Sequence, residues 1–191
     1  MKSAYSYIRE LWNKPKENLG EEWKKRLIEW RATNAIERVE RPLRLDKARA
    51  LGYKAKTGFS ILRVRLVRGG RKREKRRKGR RSKRQTNKLT LKMNYQWVAE
   101  QRAARKYVNL EVLNSYWIAK DGKYYWYEVI MVDPQRPEIQ NDPKMSWIVN
   151  HRGRAYRGLT SAAKKSRGLR NKGLRALKVR PSLRAHDRKG K

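Results

Sequence analysis

Between Arg63 and Arg84 the chain carries fourteen Lys or Arg and one acid, Glu74. A run of that density cannot bury itself, because each cation would leave water with no carboxylate to meet it. It has to lie outside any core, against solvent or a polyanion. Its beginning is different. Phe59-Ser60-Ile61-Leu62-Arg63-Val64-Arg65-Leu66-Val67 is rich in β-branched and large apolar residues, the composition of a strand. Leu62, Val64 and Leu66 share one face, and Ile61, Arg63, Arg65 and Val67 the other, which predicts one packed face and one charged face. Gly69-Gly70 breaks the pattern, and no large apolar residue follows from Arg71 to Arg81.

Charge divides the chain better than any linker does. Lys and Arg minus Asp and Glu comes to +13 over 63–84 and +14 over 151–191, but −2 over 107–150, within a total of +36. At that net charge self-repulsion opposes compaction unless a partner supplies anions. Nucleic acid is the obvious partner and an anionic membrane the other candidate. The longest apolar run, Val129 to Val132, falls far short of the roughly twenty residues of a spanning helix, and no signal-peptide core follows Met1. A soluble, cytoplasmic protein with no membrane partner is expected. There are no cysteines, and His151 and His186 stand far apart, so neither a metal site nor a cofactor is expected.

Helical periodicity marks the N-terminal region. Tyr5, Ile8 and Trp12 form a stripe that Pro15 and Gly20 interrupt. Leu19, Trp23, Leu27 and Trp30 share one face of a second helix, which makes these tryptophans packing anchors rather than base-stacking platforms. From Arg41 to Gly58, bases alternate with small residues. Asp46 is placed to cap a short helix with Gly52 at C′. This stretch reads either as a solvated helix or as a basic knuckle in which Arg41, Arg44, Lys47, Arg49, Lys54 and Lys56 meet phosphates. Farther on, Tyr95, Ala99, Ala103 and Tyr107 lie four apart on a core-facing helix.

Leu110 to Ala119 and Tyr124 to Val132 are apolar, aromatic-rich runs joined by Lys120-Asp121-Gly122-Lys123. Asp-Gly is the type I′ signal of a tight β-hairpin. The aromatic load of this hairpin reads as packing, since the motif of RNA-recognition sheets is absent. Asp133-Pro134 ends the strand, and Pro137 and Pro143 predict an irregular 133–145. After Asn150 come fifteen Lys or Arg and one acid, Asp187. Thr160 or Ser161 can cap a short helix that stops at Gly168, but two turns are not stable alone. Fixing such a tail costs about 1–2 kcal/mol per residue, which only a large anionic surface offsets. The expected organisation is N-terminal helices and knuckle over 1–58, a core of 59–68 with 93–150, a basic arm over 69–92 and a basic extension over 151–191.

No catalytic constellation is present. Gly69-Gly70-Arg71 lacks phosphate-loop spacing, Glu111, Asp121, Glu128 and Asp133 are scattered, and neither histidine belongs to a recognisable motif. Basic segments flanking a near-neutral unit point to binding, and the arginine-rich arm suits bidentate phosphate contacts. Extended arms thread the crevices of folded RNA.

Five of these stretches also resemble a known family. Arg41 to Gly58, Arg63 to Arg73, Leu110 to Trp117, Glu128 to Pro134 and Arg157 to Leu169 are similar, in order, to the L-fifteen-e (eL-fifteen) family of large-subunit ribosomal proteins, in its archaeal form. The chain departs from the family's pattern at Leu43, Thr57, Val67, Glu74 and Ala163. The resemblance implies an α+β fold, a small antiparallel sheet with flanking helices, and basic extensions ordered by RNA. It also implies a structural, non-enzymatic role in the cytoplasmic ribosome, with large-subunit ribosomal RNA and neighbouring ribosomal proteins as partners. Neither a small-molecule substrate nor a homo-oligomer is expected. Besides the knuckle residues, the expected RNA-binding residues are Arg63, Arg65, Arg68, Arg71, Lys72, Arg73, Arg154, Arg157, Lys164, Lys165, Arg167 and Arg170. The rival readings are an architectural DNA- or chromatin-binding protein and an RNA-processing enzyme.

Overall fold

The computed structural model describes residues 2–70, 91, 93–171, 173, 176 and 179. Arg71, Lys72, Arg73 and His186 lie outside the described residues. In chain order the elements are α1 (Ala4–Leu11), α2 (Pro15–Asn18), α3 (Gly20–Ala32), β1 (Ile36–Val39), α4 (Leu45–Ala50), β2 (Phe59–Val67) and α5 (Tyr95–Lys106). They continue as β3 (Glu111–Lys120), β4 (Tyr124–Val132), α6 (Pro137–Gln140), a 3-10 turn (Ser146–Ile148), α7 (Arg154–Arg157) and α8 (Ser161–Ser166). The strands form one antiparallel sheet in the order β1-β2-β4-β3, giving the expected α+β class.

Strand alternation sorts two cores onto the two faces of this sheet. Ile61, Trp126, Ile130 and Val132 pack with Trp12, Trp23, Leu27 and Trp30 from the N-terminal helices. Leu62, Val64, Leu66, Tyr127, Val129 and Met131 pack instead with Ala99 and Ala103 of α5 and with Ala155 of α7. The indoles form a relay through the first core. Ring centroids are 5.7 Å apart from Trp12 to Trp23, 6.5 Å from Trp23 to Trp30 and 6.1 Å from Trp30 to Trp126. The helical spacing of the α3 tryptophans thus does mark packing anchors.

One face of β2 differs from expectation. Arg63 and Arg65 do share a face with Ile61, but that face lies under α3 rather than in solvent. The Arg63 guanidinium sits 5.0 Å from the Trp30 ring and pairs with Glu37 at 2.6 Å. Arg65 sits 4.9 Å from the Tyr124 ring and donates to the Trp30 and Arg31 carbonyls. Long guanidinium stems cover aromatic surface, so these arginines behave as core-edge residues.

The β3–β4 hairpin stands where its apolar runs placed it, but its turn is not type I′. Gly122 does not take the left-handed backbone that such a turn requires. The Asp121 carboxylate closes the turn instead, accepting from the amides of Lys123, at 2.7 Å, and Tyr124. Arg31 of α3 then fixes that carboxylate at 2.8 Å. Two register shifts, between Val112 and Asn114 and between Trp117 and Ala119, bulge β3 and bury side chains on both of its faces.

Three further local expectations shift. Asp46 lies in the first turn of α4 and makes no cap bond; Arg44 is the N-cap residue. Gly52 does stand at C′, with φ +98°, and the Tyr53 amide reaches the Ala48 carbonyl at 3.0 Å to complete a Schellman stop. Pro137 starts the short helix α6 in a stretch expected to be irregular, its fixed φ suiting the first helical position. Finally, folded structure continues past the expected boundary at Asn150. Thr160 caps α8 by accepting from the Ala163 amide at 3.3 Å, and Ala155, Ala162 and Ala163 are buried.

Trp126 is fully buried at the meeting point of α3 and the sheet. Trp126→Ala is expected to destabilise the protein by about 3–5 kcal/mol, measured by urea unfolding.

Candidate nucleic-acid interface

The cations expected to meet phosphates separate into those that fasten the fold and those that remain free. In the knuckle, Arg44 is buried, stacks 5.1 Å from the Trp12 ring and pairs with Asp46 at 3.3 Å. Lys56 holds Asp142 at 2.8 Å and the Glu138 carbonyl at 2.7 Å, and Lys54 shares the same Asp142 oxygen. The hydrogen bonds from Lys54 and Lys56 keep the Asp142 carboxyl well below the usual carboxylate range. Arg49 donates to the Tyr5 hydroxyl and lies 5.6 Å from that ring. Arg41 and Lys47 are exposed, and neither side chain has a partner among the described residues. The knuckle is positioned from beneath by Glu128, whose two oxygens each lie 3.2 Å from the Leu43 amide and one of which accepts from the Tyr116 hydroxyl.

At the end of β2 the chain leaves the sheet through a clamp. Gly69, at φ +107°, donates its amide to the Tyr95 hydroxyl at 3.0 Å, and that hydroxyl donates back to the Gly69 carbonyl at 2.9 Å. Arg68 is exposed beside it, 5.0 Å from the Tyr125 ring, and donates to the Asp121 carbonyl. Arg63 and Arg65 are the two already placed under α3.

The segment after Asn150 is anchored by two buried charges. Arg154 donates to the carbonyls of Val112 and Leu113 on the outer edge of β3, and Glu111 accepts from the Gly153 amide at 2.8 Å. Glu100 of α5 accepts from the hydroxyls of Ser115 and Thr160, joining β3 to the cap of α8. Burial pushes its carboxyl above the usual range, against those two hydrogen bonds and the nearby Arg154 charge. Arg167 donates to the Gly158 carbonyl at 3.1 Å. Arg157, Lys164, Lys165 and Arg170 stand exposed with no side-chain hydrogen bond or ion pair among the described residues.

Arg38, Arg102, Arg105 and Arg152 are equally exposed and without a side-chain partner among the described residues, and sequence reasoning missed them. Arg38 lines a cleft of about 410 Å³ with Tyr107, Asn109 and Arg136. Arg38 and Arg102 stand outside the basic runs, Arg38 between Glu37 and Val39 and Arg102 between Gln101 and Ala103. Among the described residues no group of three His, Asp or Glu is placed to hold a metal ion, and no helix is long and apolar enough to cross a membrane.

The model of the family described as Ribosomal L15 matches residues 3–186. The chain belongs to the ribosomal L15 family. It is 52 % identical to the large ribosomal subunit protein eL15 of Methanocella arvoryzae over the whole of both chains. It is 54 % identical to the protein of that name from Nanoarchaeum equitans, over 95 % of this chain and 97 % of the other. As a member of the ribosomal L15 family it is a structural constituent of the large ribosomal subunit, not an enzyme, and its place is the cytoplasmic ribosome.

Two measurements separate fastening residues from free ones. Arg154→Ala leaves two strand carbonyls unpaired and is expected to cost about 3 kcal/mol in urea unfolding, while Lys164→Ala stays within about 0.5 kcal/mol. Glu100 binds its proton more tightly folded than unfolded, so its stabilising contribution is full below the unfolded value of 4.5 and fades as pH rises through the higher folded value. The melting temperature of Glu100→Gln relative to wild type should therefore climb as pH rises above the unfolded value of 4.5.

Proposed function

We propose that the protein braces large-subunit ribosomal RNA, holding phosphates from separate RNA segments at distances set by its folded unit. What carries this reading is the sorting of its cations. Arg44, Arg63, Arg65 and Arg154 are occupied inside the protein, whereas Arg41, Lys47, Arg157, Lys164, Lys165 and Arg170 have no acid paired with them among the described residues. With a formal charge of +36, such groups gain by releasing counterions from a phosphate backbone. Phosphate contacts of this kind position a protein without reading sequence, which suits a brace. Arg68 and the basic stretch that begins at Arg71 extend the same chemistry from the Gly69 exit. Neighbouring ribosomal proteins are the second class of partner.

The test is salt dependence of binding to large-subunit RNA. Engagement of roughly ten phosphates predicts a loss of about five orders of magnitude in affinity between about 50 and about 200 mM salt. Replacing Arg71, Lys72 and Arg73 with Ala should lower the logarithmic salt slope by about three and leave the melting temperature unchanged. A flat salt response overturns the reading, and equal affinity for duplex DNA replaces it with an architectural DNA-binding role.

A further inference from the structure

Of the seven tryptophans in the chain, six are buried or half-buried and one is not. Trp147, in the 3-10 turn Ser146–Ile148, is 42 % exposed. It is nonetheless held firmly. Its indole N–H donates to the Lys144 carbonyl at 3.0 Å, and the Arg154 guanidinium lies over the ring 4.6 Å from its centroid. Arg154 is itself tied to the Val112 and Leu113 carbonyls of β3, so the support beneath the ring is part of the folded core. The His151 ring stands 5.8 Å away, tilted by 57°. A ring fixed in this way loses little freedom when something stacks on it, which removes a main cost of binding.

The surroundings choose the partner. Met145 and Ile148 on either side are buried, so the exposed apolar surface is one ring and not the broader patch that a protein partner needs. Lys144 and Arg152 are exposed, and their side chains have no partner among the described residues. The nearest acid along the chain, Asp142, is already taken by Lys54 and Lys56. An exposed indole with an exposed cation a few residues away along the chain on each side suits stacking of a nucleobase with its flanking phosphates neutralised.

We infer that Trp147 is the stacking platform for one unpaired nucleobase of ribosomal RNA, with Lys144 and Arg152 on its flanking phosphates. This rests on the RNA-bracing reading and adds a base contact to a set of phosphate contacts. Trypsin cuts after Lys144 and Arg152, so the peptide 145–152 isolates the platform. Ultraviolet irradiation at about 254 nm of intact large subunits, followed by nuclease and trypsin digestion, should yield this peptide carrying one nucleotide, because a stacked base and indole cross-link at zero length. Trp147→Leu should abolish the adduct and weaken binding to transcribed large-subunit RNA about five- to hundredfold with an unchanged salt slope, since no phosphate contact is lost. Trp147→Phe, which keeps a ring, should lose less; equal losses overturn the inference, even if Leu unfolds the turn. Nucleotide adducts on other peptides of this chain but not on 145–152, or a protein cross-linked there, also overturn it while leaving RNA bracing intact. No adduct anywhere on the chain overturns the inference alone, because phosphate contacts form no such adduct and RNA bracing is tested by the salt response.

Discussion

Seventeen Asp and Glu face fifty-three Lys and Arg in this chain, and the fold depends on where those acids stand. Asp121 at the hairpin turn receives Arg31 of α3, Glu37 of β1 receives Arg63 of β2, and Asp142 draws Lys54 and Lys56 onto the segment after β4. Glu128, inside the sheet, receives the Leu43 amide, while Glu100 and Glu111 fasten the region beyond Asn150 to α5 and β3. These are junctions between elements distant in sequence. Exposed helical pairs such as Lys14–Glu17 and Lys25–Glu22 contribute little by comparison. In a strongly positive field, loss of Asp121, Glu37 or Asp142 leaves a cation facing other cations, so these three do more than their counterparts in a neutral protein.

What was legible in the sequence follows from periodicity. The α3 tryptophans, the α5 alanines and the two hairpin strands repeat at helical or strand spacing because one face of each is buried, and the burial leaves its trace in the residue order. Two kinds of feature left no such trace. A cation's fate depends on a partner far along the chain, so Arg44 and Arg154 read like Arg41 and Arg157 until Trp12, Asp46 and the β3 carbonyls are brought beside them. The packing of residues 154–166 was hidden for another reason. It uses Ala155, clustered with Ala99 and Ala103 of α5, together with buried Ala162 and Ala163, and close approach through methyl groups leaves a segment looking too polar to fold. The turn misled by its Asp-Gly pair, in which the Asp side chain, not the Gly backbone, closes the hairpin.

The division of labour among the basic residues bears on the ribosomal role. Arginines stacked on Trp12, Trp30 and Tyr124 are already partnered before any RNA arrives. In the proposed bracing of RNA they would fix the shape of the folded unit, and the exposed cations that the unit carries, Arg41, Lys47, Arg157, Lys164 and Lys165 among them, would meet the phosphates.

The outer edge of β3 has one more consequence. At Val112 and Leu113 its carbonyls are occupied by Arg154, and at Ser115 by Gln96. Three occupied acceptors and a bulged register make this edge a poorer template for pairing with another copy, and the chain's positive charge opposes such pairing as well.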